Sequence, residues 1–348
     1  LLIFMVAVRI QLGVPTASSA WVHEIIDRKQ RAADSITEPK LVLLGGSATL
    51  FGIKASVLES ELGVPVINGG LHAGLGMACI LREGKKMLRP GDTVMLFPEY
   101  ELLSFGEKNR RQWAAITYLD YILSRNSNHY LTLPWADQIE IALMTPATRI
   151  IDGIKGRWFP VKLMHITDHN MYEATSISQS GDMNGHISAR RPEFAADRDR
   201  RVCEVLLHGL SLEEEGFSLI REFAYWADAR QVRIIAGYPN MVRRSIYEPS
   251  MVDGVERQLK LFYSKHGIVV IGGLLESLMP TEDFFDTIYH PTEEASLQIS
   301  KRLAVRPVTS RNTESARAPS ITRRRSANIR TTPRKTLGLL SRRSPTGS

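Results

Sequence analysis

Short, unbroken apolar runs that stop at small or polar residues recur along this chain, and they constrain its fold more than any other feature. Leu41-Val42-Leu43-Leu44 ends in Gly45-Gly46-Ser47, Pro65-Val66-Ile67 ends in Asn68-Gly69-Gly70, and Thr93 to Phe97 ends in Pro98-Glu99-Tyr100. Val232 to Ala236 and Ile268 to Ile271 repeat the pattern later in the chain. A strand covered on one face alternates apolar with polar, whereas a continuous run suits a strand covered on both. Between the runs, apolar residues recur at helical spacing. Leu58 and Leu62 are four apart before Gly63, and Met77, Ile80, Leu81, Met87 and Leu88 form a stripe that Arg89-Pro90-Gly91-Asp92 ends. Further helices are predicted over 212–229, over 249–266 and after Pro291, a residue suited to a first helical turn. Strand and helix in alternation predict a three-layer α/β/α domain around a mainly parallel five-stranded sheet with right-handed crossovers.

Residues from about 101 to 210 interrupt this regularity. They hold ten of the chain's 26 aromatics, three of its five Trp among them, and a polar run from Thr175 to Ser188, and they predict a largely helical insertion with a mobile loop. The ends differ from the body. Leu1 to Val8 is wholly apolar but far shorter than the roughly 20 residues a bilayer span needs. Residues 1–20 are therefore expected to be either the remnant of a membrane or signal segment, and so a possible membrane anchor, or a buried element. Of the chain's 44 Lys and Arg, 13 lie in 301–348 against one acid, Glu314, which leaves 31 basic and 36 acidic residues in the first 300. The net charge of +7 thus belongs to the tail. Residues 305–348, rich in Ser, Thr, Pro and Arg, read as a basic disordered tail. The folded part, 21–304, is mildly acidic, so no nucleic-acid partner is expected of it.

In an open parallel sheet, ligands bind beyond the carboxyl ends of the strands, near the point where strand order reverses. Those ends carry Ser47, Asn68, Glu99 and Tyr100 here, and Asp286 and His290 lie four apart near the end of the folded region. A serine hydroxyl is a weak nucleophile until a base takes its proton and a third group orients that base. Ser47, His290 and Asp286 supply those three parts, with Asp283 as a rival to Asp286. Glycines after the second strand let backbone N–H groups turn toward a developing oxyanion. Two cysteines, Cys79 and Cys203, make no disulfide framework and no Cys-rich metal site. His165, Asp168 and His169 have metal-like spacing but no identifiable third ligand partner, and no phosphate-binding glycine motif occurs, so neither metal nor cofactor is expected. Trp113, Trp135, Trp158 and Trp226 read as packing residues, with a carbohydrate platform in the insertion as the alternative.

Gly45-Gly46-Ser47, Asn68-Gly-Gly-Leu-His-Ala-Gly74 and Phe-Phe-Asp286-Thr-Ile-Tyr-His290 resemble the first, second and last sequence blocks of the SGNH/GDSL hydrolases. With Pro98-Glu-Tyr-Glu, they are most similar to a divergent bacterial subgroup linked to cell-surface and exopolysaccharide proteins. The resemblance covers about 40–300. It implies a flavodoxin-like three-layer fold and a Ser47–His290–Asp286 triad. It also implies an oxyanion hole from the Ser47 and Gly74 N–H groups, and Asn68, His72, Glu99 and Tyr100 are the residues expected to line the site beside them. The implied activity is that of a serine esterase or O-acyltransferase on an acylated carbohydrate of the cell envelope. That points to a periplasmic or extracytoplasmic setting, a cytoplasmic one being the alternative. Two departures stand out: Asp and His are four apart rather than three, and the third-block Asn is replaced by Glu99-Tyr100. A carboxylate there cannot donate a hydrogen bond to an oxyanion unless protonated, so a non-catalytic polysaccharide-assembly or binding protein on the same fold is the second expectation.

Overall fold

In the computed structural model, residues 2–16, 20–104, 116–159, 173–186 and 195–305 are described. The basic tail, His165, Asp168, His169 and Trp113 lie outside these residues. The chain starts with α1 (Leu2–Ile10) and α2 (Ala20–Ser35), followed by β1 (Leu41–Gly45), α3 (Ser47–Gly52), α4 (Ala55–Leu62), β2 (Val66–Asn68), α5 (Gly76–Met87) and β3 (Thr93–Phe97). Then come α6 (Tyr100–Ser104), α7 (Ile116–Ser124), α8 (Ser127–Thr132), α9 (Trp135–Met144), α10 (Ala147–Trp158), α11 (Ala195–Arg200) and α12 (Glu204–His208). The α/β pattern resumes with α13 (Glu215–Asp228), β4 (Arg233–Ala236), β5 (Met241–Val242), α14 (Pro249–Lys265) and β6 (Val269–Val270), and ends with α15 (Leu274–Ser277), β7 (Leu278–Met279) and α16 (Glu293–Val305).

The sheet is five-stranded and wholly parallel, in the order β2-β1-β3-β4-β6. Every residue of β1 is buried, as its unbroken apolar run requires. The stripe Met77, Ile80, Leu81 and Met87 of α5 is buried, as are Phe217, Ile220 and Phe223 of α13 and Val252, Val255 and Leu259 of α14. Phe217 meets Phe262 edge-on at 4.7 Å, joining α13 to α14. The other layer is made by α4 and α16, which pack together. The described part of the 101–210 stretch is largely helical.

Three local expectations are corrected. The strand predicted over 268–271 is only Val269–Val270, because it forms the sheet's edge and Val269 stays 50% exposed. Pro291 does not start the last helix; it pairs with Phe284 in an antiparallel bridge, and α16 begins at Glu293. The polar run from 173 to 186 is bound to the core rather than loose. The Asp182 carboxylate accepts from Ala55 N at 2.6 Å and Ser56 N at 3.1 Å at the start of α4, and Asn68 N donates to Ser180 O at 2.8 Å at the edge of β2. These bonds satisfy helix-start and strand-edge donors that would otherwise be left without partners. The small parallel pair β5–β7 had no signal in the sequence.

At the amino end, α1 buries Met5 and Val8 and exposes Ile3 and Val6. No helix among the described residues is long and apolar enough to cross a membrane.

Candidate active site

Strand order reverses between β1 and β3, which are in register from Leu41 with Thr93 to Gly45 with Phe97. Beyond Gly45 the chain turns at once into α3, whose first residue is Ser47. The paired glycines before it have a steric cause. A Cβ on Gly45 would overlap Phe97 O and Thr49 Oγ1, and one on Gly46 would lie 2.5 Å from both carboxylate oxygens of Glu99. The backbone of the β1–α3 turn is thus pressed onto the end of β3 and the residue that follows it.

Glu99 is fully buried and occupies the start of α3. Its Oε2 accepts from Gly46 N at 2.9 Å, and its Oε1 accepts from Ala48 N at 2.7 Å and from Ser47 Oγ at 3.3 Å. Burial pushes its carboxyl above the usual range, and the N–H bonds from Ala48, Glu99 itself and Gly46 hold it down in part. A carboxyl here does what an N-cap side chain does, satisfying helix-start N–H groups with negative charge at the positive end of the helix dipole.

The last block forms a closed loop. Thr292 N donates to Asp283 O and Phe285 N donates to His290 O, both at 2.7 Å, so the segment between is pinned at its ends. Within it His290 Nδ1 and Asp286 Oδ1 are 2.8 Å apart, and the Asp286 side chain is wholly buried. A spacing of four therefore serves as well as three, because the loop folds back on itself. Asp283 supplies backbone to this loop, and Asp286 is the carboxylate on the imidazole. With Nδ1 bonded to Asp286, Nε2 is the nitrogen through which such an imidazole would act as a base. The His290 ring packs on Phe51 at 4.4 Å between centroids. Phe51 lies four residues after Ser47 on α3, on the same helical face. His290 and Ser47 are each 8% exposed.

The structure thus assembles the Asp286–His290 pair and brings it against the face of α3 that carries Ser47. The Ser47 hydroxyl, however, is bonded to Glu99 rather than to His290, so the predicted relay is formed in its acid–histidine half only.

Of the remaining residues predicted for the site, Asn68, His72 and Gly74 have intramolecular partners. Asn68 is fully buried, and its Nδ2 donates to Ile53 O at 2.7 Å and Thr49 O at 3.1 Å, closing the end of α3. Its amide is thus engaged by the fold. His72 Nδ1 accepts from Gly74 N at 2.9 Å, and the His72 ring meets Trp21 edge-on at 5.8 Å. The Gly74 N–H predicted for the oxyanion hole is therefore engaged by His72. Tyr100 is buried in the first turn of α6. Cys79 is buried on α5. Among the described residues, no group of three or more His, Cys, Asp or Glu side chains is placed to hold a metal ion.

Two residues near the site escaped sequence reasoning. His186 Nε2 lies 3.1 Å from Phe51 O, and its ring meets Phe51 edge-on at 5.4 Å, so Phe51 is held between His186 and His290. Burial first, then the charges of Lys54 and His290, lower the His186 pKa to about 3. Lys29 is wholly buried behind the Asn68–Gly70 turn. Its only signal was its place in the stripe Trp21, Ile25, Lys29 and Ala33, which is otherwise apolar.

The fold and site define a class: a doubly wound parallel α/β protein with a buried acid–histidine pair and a helix-start serine at the strand-order switch. No protein-family model matches the chain. No curated protein is significantly similar to it.

Proposed function

We propose that the protein is a serine esterase or O-acyltransferase of SGNH type, acting on an acylated carbohydrate of the cell envelope. The observation that carries this reading is the buried Asp286–His290 pair, packed on Phe51 one helical turn from Ser47. A buried carboxylate on Nδ1 fixes the imidazole tautomer and steadies the imidazolium formed when Nε2 takes a proton. In the proposed reaction the Ser47 hydroxyl turns from Glu99 to His290 Nε2 and gives up its proton there. Oγ attacks the acyl carbonyl, and the sugar oxygen departs with the proton returned by His290. Water or a second sugar hydroxyl then takes the acyl group from Ser47, losing its own proton to His290, which restores the serine. Water gives hydrolysis and a hydroxyl gives transfer. The carbohydrate and the envelope setting rest on the sequence resemblance.

The test is labelling with a fluorophosphonate, which phosphonylates an activated serine. The proposal expects attachment at Ser47, abolished by Ser47→Ala and by His290→Ala. Absence of labelling in the folded wild-type protein over a broad pH range would refute it.

One observation favours a second reading, a non-catalytic binding protein. Glu99 takes the Ser47 hydroxyl and the N–H groups beside it, which leaves the serine bonded to a carboxyl rather than to the imidazole. Under that reading Ser47 is unreactive and Glu99→Gln does not awaken it.

A further inference from the structure

We propose that Lys29 is a positioning residue for Ser47: its ammonium clamps the Asn68–Gly70 turn against α3, and loss of one proton from it loosens the clamp and lowers the reactivity of the site. This inference rests on the esterase reading above.

Lys29 stands on the buried face of α2 with its side chain wholly inside the protein. Its Nζ donates to Asn68 O and Gly70 O, each at 2.7 Å, and to Asn68 Oδ1 at 3.4 Å. An ammonium has three protons and here meets three acceptors. The turn it holds is wedged against the nucleophile's helix. A Cβ on Gly70 would lie 2.5 Å from Leu50 N, so the turn lies directly on the second half of α3. Leu71 N donates to Gly45 O at 3.1 Å, just before Ser47, and Asn68 Nδ2 holds the carbonyls at the far end of the same helix. The turn then runs into His72 and Gly74, the stretch proposed to face an oxyanion. Lys29, the turn and α3 form one packed stack, and Lys29 touches none of the proposed reacting groups itself.

Neutral lysine has two protons and a lone pair, so one of the three oxygens would face a lone pair instead of a donor. That change falls near neutral pH, because burial lowers the Lys29 pKa to about 7 while the Asp182 carboxylate opposes the shift. The surrounding charges are few. Asp182 faces it from the 173–186 segment, where Glu173 is turned to Thr175 at the surface. From α5, Glu83 bonds Gln30 and Lys86. The 68–70 turn offers only carbonyls and the Asn68 amide oxygen. The linkage has a definite sign. A buried lysine with a depressed pKa makes the unfolded chain bind more protons between about 7 and the ordinary 10.5, so its contribution to fold stability rises across that window. Stability should gain from the same deprotonation that costs reactivity, which a purely structural lysine would not produce.

The experiment follows the Gly70 amide by NMR from pH 5.5 to 9 and, on the same protein, the rate of fluorophosphonate attachment to Ser47. The expected result is a Gly70 titration with a midpoint near 7, and labelling about tenfold slower at pH 8.5 than at its maximum. In Lys29→Met, which removes all three donors, both the titration and the falling limb should vanish. Should that variant fail to fold, Asp182→Asn decides: removing the carboxylate that raises the Lys29 pKa should move the midpoint down, and an unmoved midpoint overturns the inference. A Gly70 amide that does not titrate, or still titrates in folded Lys29→Met, overturns it while labelling continues. A Gly70 titration without any labelling sinks the esterase reading, and with it the reaction Lys29 would serve.

Discussion

Replacing Glu99 with Gln should separate the two roles that its carboxyl combines. In the structure three donors converge on it: Gly46 N at 2.9 Å, Ala48 N at 2.7 Å and Ser47 Oγ at 3.3 Å. Gln keeps the length but has one acceptor oxygen, so its amide nitrogen must face a donor. A buried donor left without a partner costs about 1–3 kcal/mol, and thermal unfolding should report a loss of that order near neutral pH. The pH dependence has a definite sign. Burial raises the Glu99 pKa, so the folded chain binds its proton more tightly than the unfolded chain does. The stability cost of ionising it is absent in acid and grows as pH rises past the ordinary carboxylate value. The Gln variant lacks that cost, so its deficit should be largest in acid and shrink as pH rises. For Ser47 the change is a release. A bond of 3.3 Å to a carboxylate is a weak one of its kind, worth about 1 kcal/mol, and freeing the hydroxyl should raise fluorophosphonate labelling by roughly fivefold. The alternative Glu99→Asn, which restores the resembled family's residue type, is one methylene shorter and should leave both Gly46 N and Ala48 N without their partner. If folded Glu99→Gln instead loses labelling, the carboxyl is part of the reactive machinery and its treatment as a competitor of His290 is wrong.

Other expectations follow from single contacts. Asp286→Asn should keep the loop but favour the wrong imidazole tautomer, slowing Ser47 labelling by about 1,000- to 10,000-fold with little change in melting temperature. Asp92→Ala should cost about 3–5 kcal/mol in chemical unfolding, since it strands Lys40 Nζ, wholly buried and 2.8 Å from Asp92 Oδ2; a loss below 1 kcal/mol would mean water reaches the pair. His23 and His186 have their pKa values lowered to about 4 and about 3, chiefly by burial. Between those values and the ordinary 6.5 the unfolded chain binds more protons, so stability should fall as pH drops from 6.5 toward 4. His186→Asn should flatten that limb by up to about 1.4 kcal/mol per pH unit, and an unchanged slope would place His186 in contact with water.

The sheet was legible because burial on both faces leaves an unmistakable mark: Leu41 to Leu44 has no polar alternative to being a central strand, and β1 is buried throughout. The edge strand was less legible, since Ile268 to Ile271 reads like the others while only Val269 and Val270 pair. Spacing also found the Asp286–His290 pair, because four residues are few enough for one pinned loop to hold both side chains. What spacing could not reveal was competition for the same atoms. Asn68, Gly74 and Glu99 stand where a family pattern would put ligand contacts, yet in space each has a nearer intramolecular partner: the carbonyls of α3, the His72 ring, and the N–H groups before and after Ser47. A sequence lists donors and acceptors without saying which will meet, and a buried polar atom takes the partner that packing supplies.

For the proposed esterase to act, the bonding of Ser47 must change. Its one hydroxyl proton now goes to the Glu99 carboxyl, whereas the proposed reaction needs it at Nε2 of His290, whose Nδ1 bonds Asp286. Glu99 cannot leave without stranding two helix-start N–H groups, so under that proposal the hydroxyl is the group that moves. Turning the hydroxyl costs little beyond the weak 3.3 Å bond, whereas moving Glu99 would break its two backbone bonds of 2.9 and 2.7 Å. A substrate carbonyl placed over Ser47 would favour the rotated form, because only then does the oxygen's lone pair face the carbon it attacks. Under that proposal Glu99 keeps the resting serine quiet, holds α3 in place, and gives up the hydroxyl without giving up the helix.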